Sequence, residues 1–169
     1  MKKRLKIIRV TTKPMSLSIL LKGQLKYMNN FHDMIAISSA GKELMEYEKE
    51  EGIKTISLNM TRKITPFKDI ISLIKMIKIL KKEHPDVVHS HTPKAGVISM
   101  LASALCKIPH RLHTVGGLPL MEANGIKRKI LLFVEWLTYK CATKIYPNSF
   151  GLKKFILKNI LIPKNKILV

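Results

Sequence analysis

The stretch DVVHSHTPKAG, residues 86–96, joins a short β-branched run to the start of a helical pattern. Residues 86–89 are typical of a buried strand, and residues 95–106 repeat apolar side chains at helical spacing. A strand that passes through a short polar loop into a helix is one step of a βαβ unit. The junction therefore predicts an α/β fold, with two histidines and a lysine where the strand ends.

The rest of the chain repeats this alternation. Because strands separated by helices pair in parallel through right-handed crossovers, we predict a Rossmann-like, doubly wound parallel sheet with strand order 3-2-1-4-5-6. It forms one domain over residues 1–169. The strands are predicted at residues 5–11, 33–39, 53–58, 86–89, 111–114 and 144–146, with an incipient strand at 166–169. The helices are predicted at residues 16–30, 42–51, 65–84, 95–106, 127–141 and 152–159.

The helix over residues 65–84 has clear signals at its start. Thr65 is the predicted N-cap and Pro66 the first helical residue, where no backbone N–H is needed. An apolar stripe at helical spacing is predicted to face the core: Phe67, Ile70, Ile71, Ile74 and Ile77.

The composition is strongly basic. Formal net charge is +20, and residues 53–169 carry 21 Lys and Arg against 5 Asp and Glu, a surplus of 16. This balance favours an anionic partner, which could be a nucleic acid, an anionic membrane or a phosphorylated substrate; a merely solvated surface is the alternative. Aromatic residues make up 6% of the chain, too few and too scattered for nucleic-acid stacking platforms.

Cysteine usage and hydropathy are typical of a cytoplasmic protein. Cys106 and Cys141 lie in apolar helical patterns without metal-ligand spacing, so we expect buried, reduced thiols. No window approaches the roughly 18–20 apolar residues that cross a bilayer, so we expect a soluble chain.

Ligands bind open parallel sheets beyond the carboxyl ends of the strands. His89 and His91 could chelate a metal there, but no third ligand is spaced nearby, so we predict no metal site. No G-x-G-x-x-G motif supports dinucleotide binding. The carboxyl ends of the predicted strands lead into four loops, which we call the crevice loops: residues 13–16, 90–94, 115–120 and 147–149.

We expect His91, Lys94, His113 and Gly116 to line one crevice in these loops. A lysine in the first turn of a helix opposes the helix dipole, which favours a compensating ligand; a solvated lysine is the alternative. His113 precedes Gly116 and Gly117, whose backbone can approach a ligand or take positive φ; a core histidine beside a turn is the alternative. Ser16 is the predicted N-cap in the first loop.

These blocks resemble a known family. HSHTPKAG and HTVGGLP in this order, with TTKPMSLSILLKGQ, MTRKITPFKDI and YPNSFGLKKFI, are similar to the N-terminal domain of bacterial family-four glycosyltransferases of capsular-polysaccharide and O-antigen assembly. The resemblance implies one half of a GT-B fold that receives the acceptor. It also implies a retaining, metal-independent reaction without a cofactor, in which the donor is a nucleotide sugar, expected to be UDP-linked.

The resemblance also assigns roles by position. His113 is the predicted catalytic residue, which reaches the transferred sugar. The implied acceptor-binding residues are Ser16, His91, Thr92, Lys94, Gly116, Gly117 and Ser149.

Two departures from the family pattern matter. The first loop has Pro14-Met15-Ser16 where many relatives have a glycine pair, and we expect a truncated enzyme whose C-terminal donor-binding domain is absent from these 169 residues. In the family, that domain carries a donor-binding glutamate pair with E-x7-E spacing. Glu43 and Glu51 have the same spacing, which we interpret as chance. We therefore expect the 169 residues alone to be inactive, as part of a longer enzyme.

The expected acceptor is a lipid-diphosphate-linked saccharide, which lies at an anionic membrane surface. We therefore predict a peripheral protein on the inner face of the plasma membrane, bound through charge alone and with no specific nucleic-acid partner. The alternative is a basic Rossmann-like module that binds nucleic acid or another polyanion without catalysis. The predicted membrane-facing residues are Lys75, Lys78, Lys82, Lys127, Arg128 and Lys129.

Overall fold

The computed structural model describes residues 3–63 and 65–169. Met1, Lys2 and Ile64, which the predicted domain includes, lie outside the described residues. Within the described part, six strands form one parallel sheet: β1 (Lys6–Val10), β2 (Asp33–Ser38), β3 (Lys54–Ser57), β4 (Val87–Ser90), β5 (His110–Val115) and β6 (Lys144–Pro147). Their order is β3-β2-β1-β4-β5-β6. The predicted fold class and strand order are confirmed.

Helices connect the strands and cover both faces of the sheet. One face packs against the helices between β1 and β3, and the other packs mainly against those that follow β3. In the described part, none of the helices has both the length and the apolar character needed to cross a membrane. The helices are α1 (Pro14–Leu20), α2 (Gln24–Asn29), α3 (Lys42–Glu51), α4 (Pro66–Glu83), α5 (Pro93–Leu105), α6 (Gly125–Cys141) and α7 (Phe150–Asn159).

The helix predicted at residues 16–30 is divided into α1 and α2. Gly23 lies between them with a φ of 74°, a left-handed conformation that glycine adopts without steric cost. The buried carboxylate of Glu51 accepts hydrogen bonds from the backbone N–H of Gly23 at 2.6 Å and of Lys26 at 2.8 Å. A carboxylate at this position satisfies the free amides of α2 and stabilises its start.

The predicted apolar stripe of α4 is wrong, apart from the half-buried Ile77. Phe67 is 86% exposed, and Ile70, Ile71 and Ile74 are about half exposed. The buried face instead carries Ser72, Met76, Leu80 and Glu83.

Polar contacts of α4 explain this rotation. The Ser72 hydroxyl donates to the carbonyl of Asn59 at 2.7 Å, and Glu83 pairs with Lys54 at 2.6 Å. Because a buried polar group without a partner is costly, these contacts favour turning Ser72 and Glu83 inwards. The apolar residues near the start of α4 consequently face outwards.

Two smaller expectations also change. The incipient strand at 166–169 is reduced to a single parallel bridge between Ile167 and Ile145 at the sheet edge. The free thiols of Cys106 and Cys141 are half-buried rather than buried, and burial raises the pKa of both.

Candidate functional site

A cavity of about 260 Å³ opens at the carboxyl ends of the central strands. It lies where the strand order reverses between β1 and β4, the place where open α/β sheets bind ligands. Side chains from three strands and α1 meet there. The cavity is lined by Arg9, Leu20, Leu21, Gln24, His89, His91, Thr114, Gly116 and Asn148.

Arg9 is the cation of this cavity. It is 8% exposed, and its Nε donates to Nε2 of His91 at 2.9 Å. Among the described residues, no ion pair involves Arg9. Burial lowers the pKa of Arg9 to about 10, so the guanidinium remains charged at neutral pH. A buried cation without a carboxylate is costly to the fold, which favours a role in ligand binding.

Arg9 was missed in the sequence because it stands in the β-branched run of β1. The available signal was a charged side chain inside a strand that pairs on both edges, where arginine is rarely buried without a reason.

His89 and His91 share the Arg9 face of the sheet. Their ring centroids are 4.2 Å apart, and His89 Nε2 is hydrogen-bonded to Thr114 Oγ1 at 2.8 Å. Burial, followed by the Arg9 charge, lowers the pKa of His89 to about 3. Burial is also the main cause that lowers the pKa of His91, and the neighbouring His89 is the second cause. Both imidazoles are therefore neutral, able to donate and accept hydrogen bonds as sugar hydroxyls do.

His113 lies on the opposite face of the sheet. Strand pairing aligns Arg9 with His89 but Ser90 with His113, and successive side chains of a strand alternate between faces. His113 and Gly116 border a small pocket that Glu135 also lines. The prediction that His91, Lys94, His113 and Gly116 line one crevice is therefore wrong.

The ring of His113 is held from two sides. Ser90 Oγ is hydrogen-bonded to its Nδ1 at 2.8 Å, and α5 passes so closely that a Cβ at Gly96 would lie 2.5 Å from Cε1. Burial lowers the pKa of His113 to about 4, so this imidazole is also neutral. The tight enclosure indicates a fixed ring orientation.

Glu135 of α6 is a second residue that the sequence did not reveal. It is 5% exposed, and burial raises its pKa to about 7 against the opposite effect of the Tyr139 hydroxyl. On a helix otherwise rich in apolar and basic residues, one glutamate looks like an ordinary surface residue, so no spacing signal was available.

Lys94 has a protein partner. Its Nζ pairs with Asp69 of α4, and its side chain is only 11% exposed. The expectation that a ligand compensates this lysine is therefore wrong, because the Asp69 carboxylate already does so. Thr92 joins two loops through a hydrogen bond of 2.7 Å to the Thr12 hydroxyl.

The serines and glycines of the crevice loops have modest roles. Ser16 is the third residue of α1 rather than its N-cap, because Pro14 takes the first helical position, which it suits. Ser149 is the N-cap of α7, and its Oγ accepts from the amide of Leu152 at 3.2 Å. Gly116 and Gly117 are exposed, and neither takes a positive φ.

Across residues 3–63 and 65–169, no three His, Cys, Asp or Glu side chains come together as metal ligands would. His89 and His91 accordingly stand with Arg9 and Thr114 rather than with a carboxylate.

Two solved structures share the fold. A glycosyltransferase from Rickettsia africae matches 99% of this chain and 42% of its own, with a TM-score of 0.66 and 24% identity. A UDP-GlcNAc 2-epimerase from Neisseria meningitidis bound to UDP-GlcNAc matches 98% of this chain and 46% of its own, with a TM-score of 0.70 and 19% identity. At these identities the likeness shows the Rossmann-like architecture alone.

Sequence relatives are more specific. The chain is 38% identical over 168 residues to the capsular polysaccharide biosynthesis glycosyltransferase CapM of Staphylococcus aureus, covering 99% of this chain and 43% of CapM. It is 34% identical over 114 residues to a UDP-Gal:alpha-D-GlcNAc-diphosphoundecaprenol alpha-1,3-galactosyltransferase of Escherichia coli, covering 65% of this chain and 29% of that enzyme. The chain thus spans less than half the length of these relatives.

The family described as glycosyl transferase 4-like matches residues 15–149. The match contains all four crevice loops apart from residues 13 and 14 of the first loop. This agrees with the predicted resemblance and does not favour the alternative of a non-catalytic polyanion-binding module. The chain belongs to the glycosyl transferase 4-like family.

Proposed function

We propose that this chain is the acceptor side of a glycosyltransferase in surface-polysaccharide synthesis. The enzyme moves a sugar from a UDP-linked donor to a lipid-diphosphate-linked saccharide. Both sequence relatives are named as glycosyltransferases, and the name of the E. coli relative includes a UDP-sugar donor and a lipid-diphosphate acceptor. We further propose that the donor is held mainly by the other half of such an enzyme, and we expect these 169 residues alone to transfer no sugar.

The observation that carries the proposal is the Arg9 cavity. It combines one buried guanidinium with the neutral imidazoles of His89 and His91 and the hydroxyl of Thr114. Such a set can donate to and accept from the hydroxyls of a saccharide, and its volume of about 260 Å³ suits a single sugar ring. We place the saccharide of the acceptor there.

His113 keeps its predicted catalytic role in this proposal. Ser90 holds its neutral ring beneath Gly116 and Gly117, and the ring is enclosed, so a hydrogen bond to the transferred sugar requires the loop after β5 to open. Fixed neutral donors aimed at a reacting sugar need no reorganisation during the reaction. Retention of configuration and metal independence remain parts of the proposal.

We further propose that α4 faces an anionic membrane, in a different way from the one predicted. Lys75, Lys78 and Lys82 are exposed, but so are Phe67 and Ile71 at the start of the same helix. Attachment through charge alone therefore does not fit this helix. A basic helix with exposed apolar side chains binds membranes through electrostatic attraction and through apolar burial, with the apolar residues inserted at the headgroup level.

We expect K75E/K78E/K82E to weaken binding to vesicles of phosphatidylglycerol and phosphatidylcholine by about 100-fold. Each basic residue at an anionic surface contributes roughly 1 kcal/mol, and about 1.4 kcal/mol corresponds to a factor of ten. Co-sedimentation measures this. The F67S/I71S variant should also bind more weakly, but its loss should persist at high salt, because salt screens only the charges.

The matched control is K22E/K26E/K49E, which makes the same charge change away from α4. Lys22 lies in the loop before α2, Lys26 in α2 and Lys49 in α3, and all three are exposed. It should retain most of the vesicle binding. Equal losses in both triple variants would show that net charge, rather than α4, determines attachment. A parent chain that prefers a defined oligonucleotide to these vesicles at physiological salt would contradict the membrane proposal.

A further inference from the structure

A second and larger cavity lies outside the sheet, in a groove between α4, α5 and α6. Its volume is about 640 Å³, within the range of small-molecule sites and more than twice that of the Arg9 cavity. Its walls are predominantly aliphatic and come from all three helices. They are formed by Ile70, Leu73, Val97, Leu101, Leu131 and Val134.

The rim of this groove is basic. Arg62, Lys63, Lys94 and Lys127 line it, against the carboxylate of Asp69 and the buried Glu135. Lys94 is paired with Asp69, whereas the other three cations enter none of the ion pairs among the residues described. The groove therefore complements a molecule with an aliphatic body and an anionic end.

The groove borders the crevice at the ends of the strands. Pro93 and Glu135 line both the groove and the small pocket that contains His113. That pocket in turn shares Thr114 and Gly116 with the Arg9 cavity. The groove is therefore adjacent to the carboxyl-end crevice, on the sheet face of His113 rather than that of Arg9.

Exposed apolar side chains also occur on α4 and α6 outside the lining of the groove. Phe67 of α4 is 86% exposed, and Ile126 and Phe133 of α6 are 78% and 60% exposed. Lys68 and Lys129, also exposed on these helices, add positive charge beside them.

We propose that this groove binds the first isoprenoid units of a polyprenyl diphosphate, with the diphosphate at the basic rim. The inference rests on the proposed function, because it gives the lipid part of the same acceptor its own binding surface. Branched aliphatic isoprene units match walls of Ile, Leu and Val. Arg62, Lys63 and Lys127, the rim cations outside the Lys94–Asp69 pair, match a diphosphate, and Pro93 lies where the groove meets the pocket beside His113.

The test uses farnesyl diphosphate, a soluble short-chain probe that carries no sugar, below its micelle concentration. Methyl NMR of the 169-residue chain should show saturable shifts at Ile70, Val97 and Leu131. The I70Q/L131Q variant should bind at least tenfold more weakly, as should the parent with inorganic diphosphate in place of the probe. I70Q alone, at a 56% exposed position that cannot disturb the core, should show a smaller loss in the same direction.

The control is L161Q, a substitution at a 91% exposed leucine beyond α7 that should leave probe binding unchanged. Shifts confined to Leu20 and Leu21 of the Arg9 cavity, or no saturable shifts, would overturn the groove assignment. Unchanged affinity in both I70Q and I70Q/L131Q would also overturn it. Saccharide binding is read separately, from shifts of Leu20 and Leu21 on addition of N-acetylglucosamine 1-phosphate. Failure of the groove is thereby distinguished from failure of the proposed function.

Discussion

Replacing Arg9 with methionine is expected to weaken acceptor binding by about 10- to 100-fold while leaving the fold at least as stable. A hydrogen bond from a charged donor contributes roughly 1.5–3 kcal/mol, and 1.4 kcal/mol corresponds to a factor of ten. Arg9 lowers the stability of the fold, because its guanidinium is 8% exposed and has no carboxylate partner among the described residues. An apolar side chain of similar length removes that desolvation cost.

The measurements are urea unfolding and calorimetric titration with farnesyl-diphospho-N-acetylglucosamine, a short-chain acceptor analogue. The matched control is R111M. Arg111 also lies on a strand, but it donates to the carbonyls of Cys141 and Ile108 at 2.6 Å each, at the opposite end of the sheet. R111M should lose stability and keep its affinity. An R9M variant that behaves like R111M would show that Arg9 is structural.

The second large effect is expected from E135Q, and it depends on pH. Burial raises the pKa of Glu135 from 4.5 to about 7. Below pH 4.5 the carboxyl is protonated in the folded and the unfolded chain, so ionisation has no effect on stability. Between pH 4.5 and about 7 the unfolded chain loses the proton first, which lowers the free energy of unfolding as pH rises. Above about pH 7 the penalty is constant.

Glutamine cannot ionise, so E135Q should gain stability relative to the parent across this window, by about 3 kcal/mol in total. The quantity to measure is the difference in unfolding free energy between the two proteins from pH 4 to pH 8. The low pKa values of His89 and His113 give both proteins the opposite slope, which cancels in this difference. E122Q, at an exposed glutamate, is the control and should change the unfolding free energy by less than about 0.5 kcal/mol. A pH-independent difference for E135Q would contradict a raised pKa.

The fold could be predicted because local signals determine it. Strands and helices alternate with lengths that permit only parallel crossovers, and Pro66 marks the start of α4. The rotation of α4 could not be predicted, because it depends on the contacts of Ser72 with Asn59 and of Glu83 with Lys54. Hydrophobic periodicity alone selects the more apolar face, and here that face is exposed.

The candidate site was predicted in place but not in arrangement. The carboxyl-end rule located the crevice loops, and the alternation of side chains placed His89 and His91 together. Which face His113 takes relative to them depends on the register of β4 and β5, which aligns Ser90 with His113. The partner of Lys94 is 25 residues away on α4, a contact that only tertiary structure creates.

The most direct test of the acceptor-side assignment is a calorimetric comparison of two ligands on the 169-residue chain. We expect saturable binding of farnesyl-diphospho-N-acetylglucosamine, at least tenfold tighter than that of UDP-galactose, because the proposed saccharide cavity and the groove with its basic rim together match a lipid-diphosphate-linked sugar. Tighter binding of UDP-galactose, or no binding of the acceptor analogue, would contradict it.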